Sequence, residues 1–331
     1  MVCITILTTV LGEKLCYTQA MNHQLILNEP IANGLDVIGD RWTLLILREA
    51  FYGSTRFEQF CERISISRAT LTRRLNALID NEILYKAPYS ETSKRFEYKF
   101  TQRGLGLMSS SLLAVQWEAD WRENNDRQSS VIQRLHHSVC GQRLSPKPVC
   151  RACKLPVRFD EVNWLDMSEQ LDRQLEEIRA SNAKHRKSKP KPTDSELEKD
   201  PGLVSMIGDR WTILLLIACF FNTKKFDAFI NQLNIPSSVL ADRLKFLIEA
   251  GVLTRVAYQA NPVRHEYQLT EKGKSLFPFI MSLRQWVVEN MAPSSQREGR
   301  LIHSACGKPL VLDVVCGGCG QKPWPEDIEL K

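Results

Sequence analysis

The hexapeptide "IGDRWT" occupies Ile38 to Thr43 and recurs at Ile207 to Thr212, 169 positions later. At the same offset Phe57 and Phe60 meet Phe226 and Phe229, and Leu71, Arg74, Leu75 and Leu78 meet Leu240, Arg243, Leu244 and Leu247. Tyr89, Glu97, Tyr98, Thr101 and Gly104 meet Tyr258, Glu266, Tyr267, Thr270 and Gly273, and Trp117 meets Trp286. Further on, "HSVCG" (His137 to Gly141) meets "HSACG" (His303 to Gly307) at an offset of 166, so three residues were lost between. The chain is a duplication of one unit of roughly 130 residues, about one domain in size. Whatever one copy folds into, the chain holds it twice.

Composition narrows the setting. Of 331 residues 43% are hydrophobic and 25% charged, with 44 basic against 38 acidic side chains. A net charge of +6 permits an anionic partner without requiring one. No apolar run reaches the ~18 residues that span a bilayer, so no membrane partner is expected. Residues 1–20 carry no basic n-region and read as an extension, with Met21 a second candidate start. Without an export signal the expected compartment is the cytoplasm, where the ten cysteines stay reduced and metal binding outweighs disulfides.

Within the first copy, Leu35, Ile38, Trp42, Leu44, Leu45 and Leu47 make a helical apolar pattern broken near Gly39. Phe57, Phe60 and Ile64 share a second helical face. Ser67 caps a third helix whose buried face is Leu71, Leu75 and Leu78. A β-hairpin follows, "ILYKAP", the polar turn "YSETSKR" and "FEYKFT", and Thr101 to Glu123 returns to helix with Leu105, Met108, Leu112, Val115 and Trp117. That order is a winged helix-turn-helix, in which the second helix of the pair enters the major groove.

The expected fold class is α+β, mostly α: two winged helix-turn-helix domains, each followed by a small zinc-ribbon-like module. The winged domains cover residues 21–130 and 201–296, the modules 131–160 and 297–331, and a helix with a charged linker 161–200. In that helix Trp164, Met167, Leu171, Leu175 and Ile178 form one apolar face. The linker, Asn182 to Asp200, spans on the order of 20–25 Å as a flexible coil.

The recognition helix of copy one offers Ser67, Arg68, Thr70, Thr72, Arg73, Arg74 and Asn76, with Lys94 and Arg95 in the wing. Arginine pairs with guanine, asparagine with adenine, and hydroxyls with phosphate. Copy two offers Ser237, Ser238, Arg243, Lys245 and Arg264. Over Ser67 to Ile79 the charge is +3; over Pro236 to Ile248 it is +1, because Asp242 stands where Arg73 does and Ser237 where Arg68 does. Copy one is therefore expected to supply more of the affinity for double-stranded DNA. Arg41 and Arg210 suit phosphate contact and carboxylate pairing equally. Trp42 and Trp211 read as core or interface.

Each copy resembles the HxlR-type winged-helix transcriptional regulators. The resemblance rests on "DVIGDRWTLLILREAF", "RFEQF", "ISRATLTRRLNALIDNEIL" and "RFEYKFTQRG", and on "SMIGDRWTILLLIACF", "KKFDAF", "IPSSVLADRLKFLIEAGVL" and "VRHEYQLTEKG". It covers roughly 90 residues of each copy. It implies DNA-binding dimers joined through the first and last helices of each domain, so two copies in one chain suit either an intrachain pseudo-dimer or a homodimer with four heads. Some members sense oxidants through a cysteine just before the first helix. Here Glu29 precedes Pro30 and Asp200 precedes Pro201, so that role does not carry over.

Six cysteines fall in two identical frames, His137, Cys140, Cys150 and Cys153, then His303, Cys306, Cys316 and Cys319. Four N/S donors suit tetrahedral Zn2+, and each frame reads as one closed structural site. His136 rivals His137, but Ile302 at the matching position favours His137. Cys61 reads as a small core residue. No nucleophile–base constellation or phosphate-binding glycine loop argues for an enzyme. A protein-interaction scaffold built from winged helices and ribbons is the competing reading.

Overall fold

The computed structural model describes residues 31–88, 95–121, 131–164, 203–291 and 301–331. The extension with Cys3 and Cys16, Met21, Lys94 and the charged linker lie outside the described residues. The first repeat runs α1 (Ile31–Ile38), α2 (Arg41–Phe51), α3 (Phe57–Ile64), α4 (Arg68–Asp80), β1 (Leu84–Pro88), β2 (Phe96–Phe100), α5 (Gln102–Leu105) and α6 (Met108–Trp121). Strands β3 (Leu135–His137), β4 (Gln142–Arg143), β5 (Pro146–Cys150) and β6 (Val162–Trp164) follow. The second repeat has the same order: α7 (Leu203–Ile207), α8 (Arg210–Phe220), α9 (Phe226–Leu233), α10 (Ser237–Glu249), β7 (Leu253–Ala260), β8 (Val263–Leu269), α11 (Glu271–Lys274) and α12 (Phe277–Asn290). It ends in β9 (Leu301–His303), β10 (Lys308–Pro309), β11 (Leu312–Cys316) and β12 (Ile328–Leu330). No helix among the described residues is long and apolar enough to cross a membrane.

The aspartate of "IGDRWT" ties two helices of each unit together. Asp40 is the N-cap of α2 and accepts the Trp42 and Thr43 amides at 3.1 and 3.3 Å. The same carboxylate pairs with Arg74 of α4 at 3.0 Å, fixing α4 against the start of α2. Asp209 repeats the device, capping α8 through the Thr212 amide at 3.1 Å and taking the Arg243 Nε at 2.6 Å. Leu71, Leu75 and Leu78 bury the inner face of α4 as expected, and Leu240, Leu244 and Leu247 do so for α10. The hairpin is locked by Thr101, whose hydroxyl accepts the Gly104 amide at 3.0 Å and donates to the Glu82 carbonyl at 2.5 Å, with the Ile83 carbonyl oxygen 3.3 Å away. Gly104 is required there: a Cβ would lie 2.1 Å from that carbonyl oxygen, and at Gly273 2.3 Å from the Val252 oxygen.

The helix expected over Thr101 to Glu123 is two helices, and the contact between repeats breaks it. The Trp286 indole donates to the Arg103 carbonyl at 2.8 Å, so the Leu107 amide bonds Gly104 instead. The mirrored contact has Trp117 donating to the Lys272 carbonyl at 3.3 Å and to the Ser275 hydroxyl at 2.9 Å, while the Leu276 amide turns to Gly273. Residues that match by sequence thus exchange matching bonds, the signature of a two-fold contact. Helix α6 packs on α12, α1 on α12 and α8, and α2 on α7. Both tryptophans are buried. Arg210 pairs with Asp36 of the other repeat, so the balance between phosphate and carboxylate resolves to the carboxylate for this residue. Arg41 lies 5.2 Å over the half-buried Trp42.

Beyond the winged domains the repeats interlock. Strand β5 pairs with β11 in antiparallel register centred on Pro148 and Val314. One three-stranded sheet has the order β12-β3-β4 and the other β10-β9-β6, so each repeat donates its last strand to the other. Trp164, expected to open an apolar helix, ends β6 opposite Leu301 instead. The strand lies past residue 160, where the module was expected to close, because its pairing partner is in the other repeat.

Candidate nucleic-acid interface and metal centres

Two recognition helices stand at the surface. Ser67 is the N-cap of α4, its hydroxyl accepting the Thr70 amide at 3.2 Å. The side chains of Arg68, Thr72, Arg73 and Asn76 are exposed on one side of the helix, with Thr70 half-buried. Arg73 makes no ion pair with any described residue. Arg68 is held differently: Glu58 of α3 binds its guanidinium at 2.7 and 2.8 Å, and the group lies 5.0 Å over the Phe57 ring. That hydrogen-bonded pairing lowers the Glu58 carboxyl below the usual carboxylate range. Thr72 spends its proton on the Arg68 carbonyl at 2.9 Å, leaving its oxygen as an acceptor.

Arg74 and Arg243, expected among the DNA-facing cations, are turned inward onto Asp40 and Asp209. Helical spacing explains the correction. Arg73 and Arg74 are 100° apart around the helix, so only one can share the outward face, and the Asp40 cap sits below the other.

Helix α10 exposes Ser237, Ser238, Asp242 and Lys245, the last near Glu249 at 3.8 Å. Its N-cap is Pro236, with no side-chain cap. The wing of repeat two is a longer ribbon than β1–β2, with Arg264 exposed near its tip and Lys225 4.8 Å over the Tyr258 ring. In repeat one Arg95 is exposed at the turn end of the β1–β2 hairpin, next to Phe96.

The eight ligand candidates gather into two groups of four, but not within the frames expected. One group joins His137 and Cys140 of repeat one to Cys316 and Cys319 of repeat two. The other joins His303 and Cys306 to Cys150 and Cys153. In each, the ligand atoms all lie within 4.8 Å of one another. The crossed pairing of β5 with β11 is the cause, since it carries each C-x2-C turn to the other repeat's histidine. A frame read along the chain assigns four neighbours in sequence to one ion. Nothing local distinguishes that from the exchanged pairing.

The spacing suits a tetrahedral ion. Cys319 and Cys140 sulfurs lie 3.3 and 3.5 Å from His137 Nδ1, and Cys140 lies 3.9 Å from Cys316. In the second group Cys153 and Cys306 lie 3.3 and 3.6 Å from His303 Nδ1, and Cys150 is 4.0 Å from Cys306. Tetrahedral zinc with bonds of ~2.3 Å sets its sulfurs about 3.8 Å apart, whereas a disulfide needs ~2.05 Å. Both histidines are fully buried in orientation fixed by their strands, and each Nε2 lacks a hydrogen-bond partner. The Cys306 thiol is lowered to about 7, first by the Lys308 amide and then by His303. At Cys316 burial opposes ionisation, yet the Cys319 and Gly318 amides outweigh it and lower the thiol. His136, in contrast, sits beside the Arg134 carbonyl at 3.2 Å, outside either group. Cys219 is buried and pushed up to about 12 by desolvation, and desolvation also raises Cys61, so neither is an activated thiol.

The HxlR-like helix-turn-helix family matches residues 37–126 and again 206–295, more than half of the chain. The chain belongs to that family. It is 37% identical over 119 residues to the uncharacterised HTH-type transcriptional regulator Rv3095 of Mycobacterium tuberculosis, spanning 36% of this chain and 75% of that one. The HTH-type regulator YvaP of Bacillus subtilis is 35% identical over 92 residues, covering 28% of this chain and 85% of its own length. YtfH of Escherichia coli, also named an HTH-type regulator, is 29% identical over 86 residues, covering 26% and 68%. These names describe regulators and none describes an enzyme.

Proposed function

We propose that this HxlR-like protein is a DNA-binding transcriptional regulator that reads double-stranded DNA with two heads from one chain. The observation that carries the reading is the exposed face of α4, where Arg73, Asn76 and Thr72 stand clear beside a capped helix start at Ser67. These are the side-chain types that read guanine and adenine edges and hold phosphate. Arg68 joins them by exchanging Glu58 for DNA; an exposed ion pair of this kind costs little to open. Lys94 and Arg95 supply the first wing and Arg264 the second. Arg74 and Arg243 are positioning residues that hold the helices which do the reading.

The heads are unequal. Asp242 faces outward where Arg73 does in the first repeat, and repels phosphate, so Ser237, Ser238 and Lys245 contribute less affinity. The reciprocal bonds of Trp117 on α6 to Lys272 and Ser275, and of Trp286 on α12 to Arg103, support an intrachain pseudo-dimer, with the second repeat in the place of a partner subunit. Two Zn2+ ions, each held by three thiolates and one imidazole, would be structural, since all four positions are filled by protein. A cytoplasmic location suits reduced thiols.

The test is binding of zinc-quantified protein to DNA from its own upstream region across a salt series, beside Arg73→Ala and Arg68→Ala/Arg73→Ala. Each arginine removed from phosphate should reduce the salt slope by about 1, and loss of a base contact should cost about 1–3 kcal/mol. Equal, salt-insensitive binding by all three proteins sinks the reading in favour of a protein-interaction scaffold.

A further inference from the structure

The two repeats differ in the packing around α2 and α6 and their counterparts α8 and α12. Phe220 of α8 and Phe277 of α12 in repeat two form an aromatic cluster with Phe159, contributed by repeat one, with ring centroids 5.2 to 5.6 Å apart. The matching residues are Phe51 and Met108 of repeat one and, contributed by repeat two, Pro325. Two of three rings are therefore missing, and a cavity of about 140 Å3 lies in their place, walled by α2, α6 and β12. A second cavity of about 90 Å3 adjoins it, sharing Phe51, Tyr52, Ser111 and Val115 as its wall. Here too the repeats diverge: Ser111 and Ala114 of α6 stand where α12 has the buried Ile280 and Leu283.

We propose that repeat one holds a single binding site for a small, neutral, largely apolar molecule of one-ring size, carrying at most one hydroxyl. The size follows from volume, since an apolar cavity of about 150 Å3 is enough to bind benzene. The neutral character follows from the walls. The larger cavity is lined by aliphatic and aromatic side chains, with the Ser111 and Tyr52 hydroxyls its polar groups. In the smaller one Arg48 is already paired with Glu49 at 3.1 Å, and Glu118 accepts the Leu203 amide at 2.8 Å. Both charged side chains of the lining are therefore already engaged within the fold. Ser111, half-buried on the wall common to both cavities, is placed to bond the hydroxyl. The space is a cleft partly open to solvent. Repeat two shows that the same backbone accepts the residues that close it.

The site also bridges the repeats. The smaller cavity is walled by α2 and α6 on one side and by α7, Phe279 and Leu283 on the other. A molecule seated there presses on the contact that sets the spacing of the two heads, which on the reading proposed above would couple its binding to DNA.

The experiment is a titration of the full chain with benzene and with benzyl alcohol, followed by calorimetry and by the methyl resonance of Met108. One equivalent should bind saturably, with the Met108 signal shifted and benzyl alcohol tighter than benzene. Two variants copy the closed repeat, Pro325→Phe and Ser111→Ile/Ala114→Leu. Each should keep the native circular dichroism and lose the probe by at least about tenfold. Linear, unsaturable uptake overturns the proposal, as does more than one equivalent in the wild type or unchanged affinity in a folded variant. Should one variant fail to fold, the other and the wild-type stoichiometry decide. Because the titration contains no DNA, its failure is separate from failure of the regulator reading; a further titration with operator DNA present would test the coupling.

Discussion

The exchanged metal centres can be tested by moving two substitutions between sites. In the structure Cys140 shares a group with Cys319, while Cys153 belongs to the other group with Cys306. Cys140→Ser/Cys319→Ser therefore removes two donors from one centre and leaves the second whole. Cys140→Ser/Cys153→Ser removes one donor from each. Structural zinc binds with about 10–16 kcal/mol, so each of four donors carries roughly 2.5–4 kcal/mol, or about 10^2–10^3 in affinity. Against a chelator chosen to strip a site weakened by that factor, the first variant should retain one zinc and the second none. Native mass spectrometry with elemental analysis reads the count. Centres confined to single frames give the opposite pattern, one zinc in Cys140→Ser/Cys153→Ser and none in Cys140→Ser/Cys319→Ser. That crossover would refute the interlocked arrangement whatever happens to stability. Both variants carry the same number and type of substitutions, so a general loss of folding would lower both counts together.

Four further outcomes follow from named contacts. Asp40→Ala removes a helix cap, worth about 1 kcal/mol, and strands the half-buried Arg74 at about 1–3 kcal/mol more; denaturant unfolding should show Asp40→Ala/Arg74→Ala destabilised by less than the sum of the single changes. Trp286→Phe deletes the indole bond to the Arg103 carbonyl and should cost about 1–3 kcal/mol, with faster amide exchange at the start of α6; no change in exchange there would count against the contact between repeats. Glu58→Gln frees Arg68 and should tighten DNA binding while steepening its salt slope, an effect absent in the Arg68→Ala background. Zinc affinity should fall as pH drops from 8 to 6, because the thiols must lose protons to bind. Cys306, lowered to about 7, loses its proton before a thiol of ordinary value; affinity unchanged over that range in chelator competition would contradict thiolate ligation.

Much of one unit was legible because its signals are local. Ser67 as cap and Leu71, Leu75 and Leu78 as inner face follow from helix periodicity alone. The hairpin follows from alternation, and the two family matches fall where the repeated motifs do. Reading failed where a residue's partner lies far along the chain. The helix expected from Thr101 breaks because the other repeat's tryptophan takes a carbonyl that the helix would have used. Arg74 looked like another recognition cation until Asp40, 34 positions earlier, proved to be its partner.

The sequence by itself determined that this chain holds one winged helix-turn-helix unit twice, which faces of its helices are buried, and which eight side chains are competent to bind metal. Only the tertiary structure decided that the eight divide crosswise, and that matching residues of the two repeats bond each other. It also decided that Pro325, Met108, Ser111 and Ala114 leave open on one side the space that Phe159, Phe277, Ile280 and Leu283 fill with rings and branches on the other. The physical reason is one of range. Capping and periodicity act over a few residues and are written in the order of the chain. Strand exchange and cavity volume depend on which surfaces meet, and a duplicated sequence offers every surface two partners of the same chemistry.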